Sequence, residues 1–563
     1  MPEKRKRSLK RKILLSVLLL FVIGIGAFLI YFRSVAITYP PVVKDTLCLQ
    51  LQRIKVAENT YTYGNNWLRK SESGLWEMYI EGKPFDRGVA FGRLTKELLE
   101  YQEQTFVDQI NEIVPSKSYL SFLKYFVAWF DRNLDQNIVD EYKEEIYGVS
   151  LSASHAFDFI GSGYQRQLNY HAAHDIGHAL QGLNMVGCTS FSFWNKRSAD
   201  SSLVVGRNFD FYVNDKFAEN KIICFYKPSA GYKFMMVSWP CMTGVVSGMN
   251  EKGLTITINA AKSSIPTSAS TPVTLLTREI LQYASTIDEA YAIAKKRKLF
   301  VSESLMIGSL IDNKTAIIEK SPEKEDLFFS DTSYIICANH FQGTVFANDK
   351  TNLKNIKESD SNYRFRRAAE LMAQNPKMDV TKTAAILRNR DGIGGVDAGL
   401  GNETINQLIA HHAVIFKPSK LLVWVSAPPY QLGKFVAYDL NKIFQLDIKK
   451  IAENKEIYEQ ELTIPADSFL YSIKYQDYLL HKKQSHALKQ YKDKKEALPQ
   501  NFIRDYIVTN PKYYQTYVKL AEYFEKKSLK DSALNYYTQA LNYEIPKLAE
   551  RENIENRIQK LKK

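Results

Sequence analysis

An α+β fold is what this sequence predicts, with a membrane-crossing helix ahead of it and a helical region behind. Three observations carry the prediction. Short β-branched or aromatic runs, bounded by turn residues, cluster in the blocks 188–260 and 304–426, and helical stretches precede and separate them. Residues 13–32 hold no charge. Near the C-terminus, Tyr517, Leu520, Ala521, Phe524, Ala533, Tyr537 and Ala540 fall at the spacings of one tetratricopeptide repeat over 514–547, with Pro546 closing it.

In chain order, residues 1–12 form a basic segment with seven Lys or Arg and one acid. The apolar run 13–32 is long enough to span about 30 Å as a helix, the hydrocarbon thickness of a bilayer. The basic residues before it place the N-terminus in the cytoplasm and the remainder across the membrane. A cleaved signal peptide is the competing reading, with a weak small-residue site near Ser34-Val-Ala. Residues 33–75 read as a tether. Residues 76–83 read as a strand and 88–110 as the helix after it. Residues 115–185 are mostly helical. Strands are expected at 203–206, 221–226, 233–237 and 254–258, then helix over 272–297. Further strands follow near 304–310, 315–319, 333–337, 412–416 and 420–426, with a helix starting at Arg364. Helix, strands, helices, strands in this order suit stacked antiparallel sheets covered by helices. Residues 466–563 are a helical region. One repeat cannot bury its own face, so either helices within 466–508 supply a degenerate first repeat or the pair docks on the domain before it. An ordinary helical hairpin is the bland reading of the same spacing.

Composition excludes some function classes. A chain of 563 residues is too long for one compact core. The net charge of +14 is inflated by the basic N-terminus, so nucleic acid is not an expected partner. Five cysteines are too few for a disulfide scaffold, and an odd count leaves one thiol free. Cys224 and Cys241 read as buried small hydrophobes, with a cross-strand pair as the alternative.

The free thiol with the most context is Cys188. It follows Gly187 in the run Asn184-Met-Val-Gly-Cys-Thr-Ser-Phe-Ser-Phe. Downstream come Gly206-Arg-Asn-Phe-Asp-Phe and Gly248-Met-Asn-Glu-Lys-Gly-Leu-Thr-Ile-Thr-Ile-Asn-Ala. A cysteine opening a strand, followed by an Arg-Asn-x-Asp turn, is the layout of a nucleophile with supporting charges. A thiol attacks amides and thioesters once something takes its proton. If the bond before Cys188 is cut, its own α-amine is the nearest base, titrating at about 7.7–8.0 when unperturbed.

These residues resemble the cysteine N-terminal-nucleophile (Ntn) hydrolases, and within them the acyl-coenzyme A:6-aminopenicillanic acid acyltransferase family, related to choloylglycine hydrolases and penicillin V acylases. The resemblance runs from about 75 to 435 and includes Cys337-Ala-Asn-His and Ser361-Asn-Tyr-Arg-Phe-Arg-Arg. It implies a four-layer αββα sandwich over 76–435. It also implies that the chain cuts itself between Gly187 and Cys188, making Cys188 an N-terminal nucleophile. Arg207 and Asp210 match the pair that positions the thiol and holds the freed amine. Asn259 matches the side-chain donor of the oxyanion hole. Asn339 matches the asparagine supporting amine and substrate, and Arg364 the arginine of the family's Ser-x-x-Arg-Phe element. Tyr363 replaces the serine usual just before that arginine. The distance from Cys188 to Arg207 is longer than in the bile-salt enzymes, which favours the acyltransferase branch.

Each of these residues also has a plain structural reading: a core cysteine, a turn ion pair, a strand-capping asparagine. His171, His174, Asp175 and His178 lie in one run, in which His174 and His178, one helical turn apart on one face, could present two metal ligands. They read better as packing or pocket lining, and no metal or cofactor is expected. His411 and His412 receive no role, and Asn250 to Gly253 reads as a hairpin turn. The expected function is a membrane-anchored, extracytoplasmic amidase or acyltransferase that passes a hydrophobic acyl group through Cys188. Coenzyme A is scarce outside the cytoplasm, so N-acyl compounds or lipids are the expected substrates. The rival class is a non-catalytic membrane scaffold whose repeat-like tail recruits a protein partner. With the tail serving recruitment alone, a chain ending near 465–500 would keep its chemistry.

Overall fold

The computed structural model describes residues 2–563 apart from 114–124, 126, 128, 130, 133, 180–186, 213, 264–269, 454 and 495. Its strands are, in order, β1 (Arg53–Ala57), β2 (Thr60–Tyr63), β3 (Asn66–Lys70), β4 (Trp76–Gly82), β5 (Thr189–Phe193), β6 (Val204–Phe209), β7 (Ile222–Pro228), β8 (Phe234–Ser238) and β9 (Ser247–Asn250). There follow β10 (Leu254–Ala260), β11 (Glu303–Ser309), β12 (Lys314–Lys320), β13 (Glu325–Phe329), β14 (Tyr334–Cys337), β15 (His412–Lys417), β16 (Leu422–Ser426) and β17 (Phe435–Asp439). Eleven form one sheet in the order β1-β2-β3-β4-β7-β8-β9-β10-β11-β12-β13. Six form the other in the order β14-β5-β6-β15-β16-β17. All neighbours pair antiparallel except β4 and β7, which run parallel.

Why these sheets stack follows from the side-chain alternation of a strand. On β7, Ile222, Cys224 and Tyr226 face one hydrophobic cluster, and Ile223 and Phe225 face another. On β15, Val414 and Phe416 join Ile223 and Phe225, whereas Ala413 and Ile415 turn the other way. The shared cluster is therefore the layer between two sheets that are apolar on both faces. Each outer face needs its own cover. The large sheet is covered by Pro84–Leu94, Asp140–Ser150, Val273–Tyr283 and Ile287–Lys296, the small one by Ser361–Gln374 and Val380–Leu387. The result is the αββα order that the resemblance implied.

Two covering helices approach closely enough to require glycine. A Cβ on Gly88 would lie 1.9 Å from the Glu145 carbonyl oxygen, and one on Gly148 2.5 Å from the Val89 nitrogen. Asn250 to Gly253 is the hairpin turn expected. Gly253 has φ +74°, and the Asn250 side chain accepts from the Lys252 and Leu254 amides.

The expected boundaries need correction at both ends of the domain. Residues 53–70 are three strands of the large sheet, not part of a tether. Trp67 and Leu68 are buried on opposite faces, which a solvated linker would not do. At the other end, Phe435 pairs with Ile464, so the sandwich continues past 435. Unforeseen strands at β9, β13 and β17 are four or five residues long, too short for periodicity to register.

Helix Pro2–Ala36 holds the apolar run, and none of its side chains over 11–34 is buried. It is long and apolar enough to cross a membrane. The C-terminal region is helical: Ile473–Lys494, Phe502–Thr509, Tyr514–Lys526, Lys530–Ala540 and Leu548–Lys562. Within it Tyr517 stacks on Tyr543, and Phe524 on Tyr536. All five cysteines are free, and Cys224 and Cys241 are buried without pairing.

Candidate active site

The register of the small sheet gathers the site. Ser190 on β5 lies opposite Arg207 on β6 and Cys337 on β14, so Cys188, Arg207, Asp210 and Asn339 all project from one end. The large sheet adds Asn259 from the end of β10. All of these side chains except that of Asn339 are nearly fully buried.

Arg207 lies under the thiol. Its Nη2 is 3.6 Å from Cys188 Sγ. The guanidinium also donates to the carbonyls of Val246 and Ile258 and to Ser247 Oγ, and it stacks 4.3 Å from the Phe209 ring centre. Four anchors fix the charge below the sulfur. Burial pushes the Cys188 thiol above its ordinary range, against the pull of Arg207 and Arg364. The thiol is therefore protonated near neutral pH, and an attack through it would require a base.

Asp210 is the most unusual group. Both carboxyl oxygens are buried and make no hydrogen bond among the described residues. Burial lifts its pKa to about 8, although Arg364 and Arg207 oppose the rise. Its backbone carbonyl accepts the Gly187 N–H at 3.0 Å, which holds this pocket beside the bond preceding Cys188. A buried carboxyl without partners is costly unless a cation arrives.

Arg364 holds Cys188 by its backbone. Its Nη1 donates to the Cys188 carbonyl at 2.5 Å and to Thr189 Oγ1 at 2.9 Å. Its Nη2 donates to Asn339 Oδ1 at 2.6 Å, and Nε to Asp360 Oδ2 at 2.7 Å. Asn339 in turn donates to the Ala260 carbonyl at 2.8 Å. Asn259 differs from the expected free donor. Its Nδ2 donates to the Cys337 carbonyl at 3.0 Å while Oδ1 accepts from Ser190 Oγ at 2.8 Å. Only its second amide hydrogen is left for an oxyanion.

The sequence did not point to Gln407. Its Nε2 donates to the Gly187 carbonyl oxygen at 3.0 Å. A Cβ on Gly187 would lie 2.4 Å from that nitrogen, so any larger residue would push the Gln407 amide aside. No motif surrounds Gln407, and 220 residues separate it from its partner. Asp360 was legible in principle, since it precedes Arg364 by one helical turn. His412 was also passed over. Its Nε2 meets Ser247 Oγ at 2.8 Å, one bond removed from Arg207.

His171 and His340 are otherwise committed. His171 uses Nδ1 on the Gln167 carbonyl and Nε2 on Thr243. Burial lowers its pKa to about 4. His340 pairs with Ser361 Oγ at 2.7 Å and is likewise pushed down to about 4 by burial and then by Arg364. Neither is poised as a base. The side chains of His174, Asp175 and His178 lie outside the described residues. An apolar cleft that starts at Phe211, next to Asp210 in the chain, is lined by Phe106, Tyr170, Phe211, Phe217, Trp239 and Cys241, together with Gln102 and Glu103. Phe209, Phe211 and Trp239 stack on one another, and Phe209 also meets the Arg207 guanidinium, so this aromatic group joins Arg207 to the cleft.

Residues 194–427 match the model of the acyl-coenzyme A:6-aminopenicillanic acid acyl-transferase family. That stretch contains Arg207, Asp210, Asn259, Asn339 and Arg364, and it starts just after Cys188. An uncharacterized protein of Archaeoglobus fulgidus is 24% identical over 278 residues, 46% of each chain. Protein dcd1B of Dictyostelium discoideum is 22% identical over 272 residues, 46% of this chain and 52% of its own. The chain thus spans about half the length of the curated relatives it matches. Among solved structures, an N-acylethanolamine-hydrolyzing acid amidase ortholog of Caenorhabditis elegans is 14% identical, with TM-score 0.30, over 41% of this chain and 93% of its own. A mutant conjugated bile acid hydrolase from Clostridium perfringens is 15% identical, with TM-score 0.31, over 45% of this chain and 93% of its own.

Proposed function

We propose, from the match of the central domain to the acyl-coenzyme A:6-aminopenicillanic acid acyl-transferase family, that this chain is a self-processing amidohydrolase or acyltransferase working through a Cys188 thioester. The observation that carries this reading is Asp210, a buried carboxyl beside the Gly187–Cys188 bond with no hydrogen-bond partner among the described residues. It is a site suited to a cation that the intact chain lacks. Cutting the bond creates that cation, the Cys188 α-ammonium.

In processing, Cys188 Sγ attacks the Gly187 carbonyl carbon. The carbonyl oxygen takes up negative charge against the Gln407 N–H. The C–N bond breaks, and the amide nitrogen leaves as the Cys188 α-amine, with the thiol's proton passing to it. A thioester of Gly187 results. Water hydrolyses it, freeing the Gly187 carboxylate and the thiol. In turnover the neutral α-amine takes the thiol proton, Sγ attacks the substrate's acyl carbon, and the ammonium returns a proton to the leaving amine. Asp210 holds that ammonium. Arg207 favours the thiolate by charge, and Asn259 with a backbone N–H meets the oxyanion. Arg364 positions the Cys188 backbone. The acyl-enzyme then goes to water or to an acceptor amine or alcohol.

The aromatic cleft that starts at Phe211 supports a hydrophobic acyl group. A panel of N-acyl amides of varied acyl length, read by mass spectrometry, tests this. We expect turnover of amides with apolar acyl groups and an acyl adduct on Cys188. An adduct-free protein that turns over none of the panel would contradict it. The N-terminal helix supports a single-pass anchor with the sandwich outside the cytoplasm. Protease added to intact spheroplasts should then digest residues beyond about 40. Full protection of the sandwich would contradict that topology.

A further inference from the structure

The helical region at the C-terminus docks on the active site. Lys547, just ahead of its last helix, is largely buried. Its Nζ is 3.1 Å from Glu403 Oε1 and 3.9 Å from Asp360 Oδ1. The other Asp360 oxygen takes the Arg364 Nε, and Arg364 holds the Cys188 carbonyl. One line of charges thus joins the tail to the nucleophile: Lys547, Asp360, Arg364, Cys188.

The neighbouring contacts are of one kind. Asn510 and Leu400 exchange two hydrogen bonds, of 3.1 and 2.8 Å. Asn402 donates to the Glu544 carbonyl at 3.0 Å. Gly399, with φ +76°, lies against the Tyr513 backbone so closely that a Cβ would come within 2.5 Å. The loop held in this way also carries Gln407, which grips the Gly187 carbonyl. The tail therefore docks on the domain before it, one of the two arrangements the sequence left open.

We propose that Lys547 is a positioning residue for the Cys188 thiol, acting through Asp360 and Arg364, so that docking of the helical tail is a condition of full reactivity. Two carboxylates, Asp360 and Glu403, crowd this spot. Without the lysine their mutual repulsion is unbalanced, and Asp360 is drawn from Arg364. Burial works against ionising Asp360, and Arg364 with Lys547 outweighs it. A guanidinium that loses its carboxylate brace no longer fixes the Cys188 backbone.

The inference rests on Cys188 being the nucleophile, and the test separates the two. The full-length protein is treated with iodoacetamide, and alkylation of each cysteine is followed by peptide mass spectrometry. Wild-type Cys188 should react much faster than buried Cys224 and Cys337. Lys547→Met should slow Cys188 by about 10-fold with an unchanged melting temperature, because a small misplacement is enough. Lys547→Arg should recover most of the rate, which a loss of packing alone would not predict. Should Lys547→Met fail to fold, Lys547→Gln keeps the polar end and serves in its place. Arg557→Ala, on the exposed Glu525 pair of the same tail, should change nothing. A folded Lys547→Met protein alkylated at the wild-type rate overturns the inference and leaves the nucleophile standing. A wild-type Cys188 no faster than Cys337 overturns both.

Discussion

Cys188→Ala should leave one uncut chain with no turnover at all, the largest effect any single change here can have. Cys188 supplies both the attacking sulfur and, once the bond before it is cut, the α-amine that serves as base. Removing it stops processing before the base exists. The uncut protein should still fold, because Cys188 makes its strongest contacts through its backbone, to Arg364. Cys188→Ser should process slowly, since a hydroxyl is a weaker nucleophile that can still form an ester. Gel mobility and intact mass of the purified variants check both. Fragments ending at Gly187 and starting at Cys188 should appear for wild type and remain associated, since both belong to one sandwich.

Asp210→Asn should act in opposite directions before and after cleavage. In the processed enzyme it removes the counter-charge of the α-ammonium. Turnover should fall by about 10²-fold or more, the scale of a lost acid–base arrangement. In the uncut Cys188→Ala background the same change should stabilise the protein. The sign follows from the raised pKa of about 8 against an ordinary 3.8. A folded state that prefers the protonated form keeps its full stability below the ordinary value and loses it as pH rises toward 8. Asparagine has no such proton to lose. The melting-temperature gap in favour of Asp210→Asn should therefore open between about pH 4 and pH 8 and stay flat above. An equal gap at every pH would mean that Asp210 does not titrate there. Stability given up at a site that activity needs is a familiar trade.

Much of this was legible in the sequence because it is local. β7 and β10 announce themselves by β-branched and aromatic residues on both faces. Residues 13–32 announce a helix by lacking any charge. Gly187-Cys188 and Arg207-Asn-Phe-Asp210 are runs short enough to be read as units. What stayed hidden is what folding brings together across long separations. Gln407 and Lys547 carry no pattern around them, since their roles exist only once the 389–408 loop folds over Gly187 and the tail folds over the loop. Residues 53–70 were missed for another reason. Their Thr, Tyr, Asn and Lys content reads as polar linker, yet β1 and β2 form the edge of a wide sheet and keep only part of each face from water. Asn259 was found as a residue but not in its geometry, because no sequence shows which carbonyl an amide will choose.

The central claim is that the working nucleophile carries a free α-amine. N-terminal sequencing of active, purified wild-type protein tests it most directly, with intact mass measured on the same sample. The account predicts a large fragment beginning Cys188-Thr-Ser-Phe and accounting for the activity. Active protein that remains uncut, with Cys188 still in peptide linkage to Gly187, would contradict it.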